Sequence, residues 1–294
     1  MTQTVIAIVS DCDDTLAPDT TGQLLARFGV DPTEFYEGPV GKLVDEGFDP
    51  AVAYMNEMIR LAQGGGRLGE LTREKIEAIG KELEWFPGVP QIFSELEREV
   101  QEKYGEFGIR LEEYVISGGI ADLLRASPLG EVVNEIWGCN FAYDGNGVIC
   151  GIRNVVSFTE KTRFLFAIEK GLVGSEYRNQ PYSVNVPMES HERRVPLRNM
   201  IYLGDGPSDI PCMSVLQPKP GESARDKGFV IGILNKKSPL RTWALGYGRR
   251  ANITVPPDFS AGEHARAQLR QAVVQLAERI RGELHPKTPQ TPTF

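Results

Sequence analysis

VIAIVSDCDDTL, residues 5–16, runs five apolar residues (Val5 to Val9) straight into three carboxylates, Asp11, Asp13 and Asp14. An apolar run without polar alternation reads as a strand buried on both faces, the habit of parallel sheets. Ligands of open α/β sheets sit beyond the carboxyl ends of such strands. Asp11 therefore stands where chemistry is usually done, with Asp13 two residues further on. Like charges this close are costly unless a cation or a proton relieves them. A lone D-x-D is equally compatible with ordinary loop aspartates; placed at the exit of a buried strand, the three carboxylates imply a metal, Mg²⁺ before any other.

Downstream of Leu16 the apolar period changes. PAVAYMNEMIRLAQ places Val52, Met55, Ile59 and Ala62 on one helical face. TREKIEAIGKELEWF places Ile76, Ile79, Leu83 and Phe86 on another, with Gly64–Gly66 as the break and Thr72 as an N-cap. Residues 17–86 thus read as an all-helical domain inserted after the first strand and closed by Pro87-Gly88. The α/β pattern then resumes. PQIFSELEREVQEKYG is a helix, EEYVIS a strand ending at Ser117, ADLLRAS a short helix, and WGCNFAYDGNGVICGIR two strands joined by a DGNG turn. KTRFLFAIEKG is a helix, and MIYLGDG and FVIGIL are strands. This alternation predicts an α/β fold, a doubly wound, Rossmann-like, mostly parallel sheet built from residues 1–16 and 87–294. A capping box of Ser260 with Glu263 predicts the start of a last long helix carrying Leu269, Val273, Leu276 and Ile280 on its core face.

With 294 residues, 41% hydrophobic and 24% charged, the chain has the profile of a globular protein of one large domain or two modest ones. A formal net charge of −8 argues against a nucleic-acid partner, since phosphate backbones select basic faces. Cys12, Cys139, Cys150 and Cys212 show no C-x-x-C spacing, and His191, His264 and His285 are scattered, so a zinc site is not expected. Free thiols suit a reducing cytoplasm. The first apolar run is too short for a signal peptide or a membrane span, so no membrane partner is expected. HPKTPQTPTF (285–294) reads as a disordered tail. The polar stretch Gly174–Asn199, with His191, Arg193 and Arg194, leads into MIYL. It is expected at the amino end of the sheet, as a surface loop or a contact between copies in a homo-oligomer. Lys236 and Lys237 follow FVIGIL and read as a solvated turn rather than a substrate contact.

Four segments sit at element ends. They are Asp11-x-Asp13-x-Thr15; Ser117 with Gly118-Gly119; Lys161, which opens an amphipathic helix after Ser157 and Thr159; and Gly204-Asp205-Gly206 with Asp209. Taken singly, SGG and GDG are turns and a helix-opening lysine is a solvated residue. Together they make a phosphoryl site. Carboxylates from two strand ends can share one Mg²⁺, which prefers oxygen ligands. A hydroxyl, exposed backbone N–H groups and a lysine can hold the remaining phosphoryl oxygens. Asp11 would attack phosphorus, while Asp13 protonates the leaving oxygen and later deprotonates water.

In this order the four motifs resemble the haloacid dehalogenase superfamily of phosphatases, from Asp11 to Asp209. The resemblance implies Asp11 as nucleophile and metal ligand, with the backbone carbonyl of Asp13 also on the metal. It places Ser117, Gly118 and Lys161 on the phosphate, Asp205 on the metal and Asp209 on it through water. The helical insert is similar to the family's first-type cap, as in phosphoserine-phosphatase-like members. Two departures stand out. Position 14 is Asp where many members have Gly or Ser, and the cap start APDTTGQ lacks the glutamate that phosphoserine phosphatases use for the substrate amine. The expected activity is Mg²⁺-dependent hydrolysis of a small phosphorylated metabolite, with Asp19, Phe35, Tyr36 and Lys42 as candidate cap contacts. A phosphomutase or phosphotransferase would use the same apparatus, and a non-enzymatic phosphoacceptor module would share the acidic pocket. A dehalogenase is disfavoured, because that branch is expected to carry a non-acidic residue at position 13.

Overall fold

The computed structural model describes residues 3–177, 180–218, 221–234 and 250–285. Its sheet has seven strands: β1 (Val5–Ser10), β2 (Arg110–Ile120), β3 (Glu135–Tyr143), β4 (Ile149–Asn154), β5 (Met200–Gly204), β6 (Phe229–Ile233) and β7 (Ile253–Val255). The order across the sheet is β4-β3-β2-β1-β5-β6-β7. Every pairing is parallel except β3 with β4, the hairpin closed by the DGNG turn. All six residues of β1 are buried, as its uninterrupted apolar run requires of a central strand. The chain winds outward from β1 through β2 to β4, then returns to β1's other side with β5. The carboxyl end of β1 is thus the point where strand order reverses, the crevice in which doubly wound sheets hold ligands.

Helices cover both faces. Alternation along β2 sends neighbouring residues to opposite sides. Tyr114 stacks on Trp137, which stacks on Phe164 of helix α8 (Glu160–Lys170). Glu113 turns to the other side, where Glu97 of α6 (Gln91–Tyr104) acts on it. The last helix, α10 (His264–Leu284), packs against α6 and β1. It starts later than the capping box predicts. Ser260 spends its N–H and hydroxyl on the Asp258 carboxylate, and Glu263 becomes an N-cap without a side-chain hydrogen bond. Leu269, Val273 and Ile280 are buried as expected.

Between β1 and α6 the chain is helical: α1 (Thr20–Arg27), α2 (Pro32–Phe35), α3 (Gly41–Asp45), α4 (Pro50–Ala62) and α5 (Arg73–Gly80). Thr72 caps α5, its hydroxyl accepting from the Lys75 N–H at 3.3 Å. Two details differ from the periodic reading. The face α4 buries runs through Ala51, Tyr54, Met55, Met58 and Ala62, leaving Val52 and Ile59 half-buried. Helix α5 stops at Gly80, where a Cβ would stand 2.2 Å from the Leu123 carbonyl oxygen; Leu83 is buried from the segment beyond. The two ends of the helical segment meet, with the Phe86 N–H donating to the Leu16 carbonyl at 3.0 Å. It is also tied to the hairpin: the Ile149 N–H donates to Leu71 O and the Arg73 N–H to Gly147 O, both at 3.0 Å.

The stretch 174–199 forms short 3₁₀ turns where described. Gln3 donates to the carbonyls of Ser190 and Arg193, which puts that part of the stretch at the amino end of β1. Arg194 pairs with Glu112, and Arg193 with Glu169. Lys236, Lys237 and the tail beyond His285 lie outside the described residues. No described helix is long and apolar enough to cross a membrane.

Candidate active site

Asp11 leaves β1 with its N–H on the Leu203 carbonyl of β5 at 2.9 Å, so the parallel ladder itself sets where the side chain begins. Its Oδ1 accepts from the Cys12 N–H at 2.8 Å and its Oδ2 lies 3.0 Å from Lys161 Nζ. Lys161 comes from the first turn of α8 and is 2% exposed. It reaches Asp209 Oδ1 at 2.8 Å and Ser208 Oγ at 3.4 Å. Asp209 also accepts from the Tyr202 hydroxyl at 2.8 Å and from the Gly206 N–H at 3.2 Å. Gly204 must be glycine, because a Cβ there would stand 2.5 Å from the Asp209 carboxyl carbon.

Carboxylate oxygens of Asp11, Asp205 and Asp209 lie within 4.8 Å of one another, and all three residues are buried. Burial pushes the Asp11 carboxyl well above the ordinary carboxylate range; Asp209 adds to this, Lys161 opposes it, and Asp205 and Asp13 raise it further. Burial likewise works against the charge on Lys161, but Asp11 and Asp209 outweigh it and hold the ammonium firmly charged. A buried cluster of hard oxygen donors, with one lysine between two of its carboxylates, fits a divalent cation of the Mg²⁺ kind.

The Asp13 side chain stands apart from that cluster. Its Oδ1 accepts from both the N–H and the hydroxyl of Thr20, each at 2.7 Å. Burial, with Asp19 nearby, pushes this carboxyl up to about 6 despite the two Thr20 hydrogen bonds. Asp14, between these groups and the insert, sits at φ 58°. Glycine takes that left-handed conformation freely, and Asn and Asp take it more readily than other side chains. This accounts for an aspartate at a position the resemblance gives to Gly or Ser.

On β2 the strand does not end at Ser117 but continues through Ile120, with an irregular register on β3 between Ile116 and Ile120. Ser117 is fully buried, and its Oγ accepts from the Gly119 N–H at 2.9 Å. A Cβ on Gly119 would lie 2.8 Å from Asp13 Oδ2, so only glycine lets β2 pass this close to the carboxylate. A cavity of about 180 Å³ opens over the cluster, lined by Asp11, Asp13, Gly118, Lys161 and Asp205, with Phe158 and Ser208 at its wall. The structure thus brings Asp11, Asp13, Gly118, Lys161 and Asp205 to one opening, with Ser117 and Asp209 behind it. Of the candidate cap contacts, Asp19 caps α1 through the Gly22 N–H at 2.8 Å and accepts from the Tyr36 hydroxyl at 3.5 Å. Phe35 is core and Lys42 is exposed.

Sequence reasoning missed Thr20, Tyr202 and Ser208. Ser208 had a signal, lying inside GDGPSD between two quoted aspartates. Thr20 and Tyr202 had none, since a threonine at a helix start is an ordinary cap and a tyrosine in a buried strand is ordinary core.

No family model matches the chain. An uncharacterized protein of Borreliella burgdorferi is 25% identical over 237 residues, 73% of this chain and 79% of its own length. Among solved structures, a phosphoserine phosphatase holding a phospho-aspartyl intermediate analogue superposes with a TM-score of 0.51 at 16% identity, over 90% of this chain and 98% of its own. A HAD family hydrolase from Salmonella enterica gives 0.55 at 14% identity, over 86% and 67%. Cytosolic 5'-nucleotidase IIIB bound to cytidine gives 0.52 at 17%, over 96% and 87%. The chain has the haloacid dehalogenase fold in its phosphoserine-phosphatase-like form, a Rossmann-like α/β sheet with helices on both faces.

Proposed function

We propose that the protein is a phosphoric monoester hydrolase acting on small phosphorylated metabolites through an aspartyl-phosphate on Asp11. One observation carries this: Asp11, held by Lys161 at 3.0 Å and clustered with Asp205 and Asp209, faces the same small cavity as Asp13, whose carboxyl is held separately by Thr20. Two carboxylates in two environments suit two roles. Asp11 Oδ attacks phosphorus as the ester P–O bond breaks, and Asp13 gives its proton to the departing oxygen. Water then attacks the acyl phosphate, Asp13 takes the water's proton, and phosphate leaves with Asp11 restored.

Lys161 and the Ser117–Gly119 stretch of β2 would hold phosphoryl oxygens in place during both displacements, and Lys161 would balance charge that builds up on them. Asp11, Asp205 and Asp209, with the Asp13 backbone carbonyl, would hold Mg²⁺, which when bound supplies further neutralisation of the phosphoryl charge. Residues 17–86 would form a lid domain, since the segment leaves and rejoins the core beside Asp11. Its contacts Thr20 and Tyr54 reach the groups that face the cavity. The small cavity supports a small phosphorylated substrate, and the free thiols suit a cytoplasmic setting.

The test uses an activated aryl phosphate. Turnover is expected with Mg²⁺ and absent after EDTA. Asp13→Asn should still be phosphorylated, because a leaving group of low pKa needs no proton, but should hydrolyse the adduct slowly. Intact mass after rapid quenching should then show protein plus one phosphoryl group. Full turnover in EDTA, or no adduct and undiminished turnover in Asp13→Asn, would rule the mechanism out.

A further inference from the structure

The Gly118–Gly119 peptide is pinned at both ends. Its carbonyl oxygen accepts from the Tyr54 hydroxyl of α4 at 2.9 Å and from Cys139 Sγ of β3 at 3.2 Å. Its N–H donates to Ser117 Oγ at 2.9 Å. Tyr54 is 6% exposed, so its hydroxyl competes little with water for that oxygen. Among the described residues this bond joins the helical segment directly to the stretch of β2 that lines the cavity.

A peptide flanked by two glycines has no Cβ on either side to resist rotation about its flanking dihedrals. In the observed orientation, Ser117 Oγ accepts from Gly119 and keeps its own hydrogen for donation outward. Turned over, the same peptide would present its carbonyl to Ser117 Oγ. That carbonyl would take the hydroxyl hydrogen, which Ser117 could then no longer donate to an anion. One orientation suits an anion and the other opposes it.

We propose that Tyr54 is a positioning residue: by holding the Gly118 carbonyl it keeps the Ser117–Gly119 stretch in the anion-accepting orientation, so that the helical segment controls phosphate affinity from outside the cavity. This rests on the phosphoryl-binding role proposed above for that stretch. Tyr54 touches neither the carboxylate cluster nor the cavity; its effect passes through one peptide plane.

Tyr54→Phe removes the hydroxyl and leaves the ring. Three quantities are read in the intact chain: amide exchange at Gly119, the inhibition constant of inorganic phosphate, and kcat with KM on an aryl phosphate. Loss of one buried neutral hydrogen bond corresponds to a weakening of about fivefold to tenfold. Gly119 exchange should quicken by at least that factor. The phosphate constant and KM should rise by it, and kcat should change less than either. A second variant separates a turned peptide from general loosening. At Gly118 a Cβ has its nearest neighbour, the Val156 carbonyl, at 3.8 Å, so Gly118→Ala fits and restricts rotation. Placed on Tyr54→Phe, it should restore most of the lost phosphate affinity.

Unchanged Gly119 exchange, an unchanged phosphate constant, or no recovery in the double variant would each overturn the proposal. If the wild-type protein neither binds phosphate nor turns over the ester, the phosphatase assignment falls and this inference with it. If the wild type does both and Tyr54→Phe matches it, only the inference falls.

Discussion

Burial and Asp209 push the Asp11 carboxyl up, and Lys161 at 3.0 Å only partly offsets them. A group held above its ordinary range is one whose charge the folded state disfavours, and Asp209 at 2.8 Å keeps Lys161 paired without Asp11, so at neutral pH its removal should not weaken the fold. Asp11→Asn is therefore expected to abolish turnover while its melting temperature without metal equals or exceeds that of the wild type. Added Mg²⁺ should raise the wild-type melting temperature more than the variant's, since a ligand stabilises only the state that binds it. A variant that loses several degrees without metal would mean that Asp11 supports the fold, and retained turnover would remove it as nucleophile. At this scale much was legible. Asp11 and Asp205 stand out because acidic side chains at the ends of apolar runs are conspicuous in sequence, whereas Lys161 drew meaning only from the other three segments. Thr20 and Tyr202 were not legible. Their importance lies in a partner, Asp13 seven positions away or Asp209 seven positions on, and only the turn between them decides whether they meet.

Strand β2 shows what a whole element can carry without announcing it. Glu112 and Glu113 are adjacent, both buried, and sent to opposite faces. Glu112 meets Arg194 and the Tyr114 hydroxyl, whereas Glu113 Oε1 has no hydrogen-bond partner among the described residues. Burial pushes the Glu113 carboxyl up to about 8, with Glu97 and Glu112 adding to it. The folded chain thus keeps a proton that the unfolded chain releases above about pH 4.3. Between there and pH 8 the native state binds more protons, so stability falls as pH rises and levels off beyond. Glu113→Gln should flatten that slope, gaining on the order of 2 to 4 kcal/mol at pH 8.5 and little at pH 5. Urea denaturation at the two pH values checks this; parallel pH profiles in variant and wild type would show that the carboxyl ionises freely. The strands themselves were legible because apolar runs need no partner to be recognised. The α4 face shifted because Tyr54 and Met58 bury more area than Val52 and Ile59, and a periodic count treats them alike. The capping box at Ser260 failed because Asp258, two residues before it, offers a closer acceptor.

Across the whole molecule, the change from a strand period to a helical period after Leu16 is matched by helices from Thr20 to Gly80 between β1 and α6. The anchoring of this helical segment on the β3–β4 hairpin, through Leu71 to Ile149 and Arg73 to Gly147, was not legible, because each bond joins residues more than seventy positions apart. That anchoring bears on how the proposed lid can be tested. Excising residues 17–86 would strip those bonds and uncover buried core such as Leu123 against Gly80, so a dead deletion would say nothing about selectivity. The intact chain offers a better handle. Phe158, on the segment between β4 and α8, is 53% exposed and forms part of the wall of the 180 Å³ cavity. A large apolar side chain left in solvent at the rim of a polar site is placed to meet either the substrate or a closing lid. If the lid and this rim together set the size limit, the wild type should favour a small phosphorylated metabolite over a phosphopeptide. Phe158→Ala should narrow that preference by roughly tenfold, the usual worth of an apolar pocket contact. The change should come from a faster phosphopeptide reaction and a higher KM for the small ester, as the rim both excludes and holds. The ratio of kcat/KM values for the two substrates measures it. A wild type that already takes both equally would show that no lid restricts the site, and an unaltered ratio in Phe158→Ala would place the size limit wholly on the helical segment.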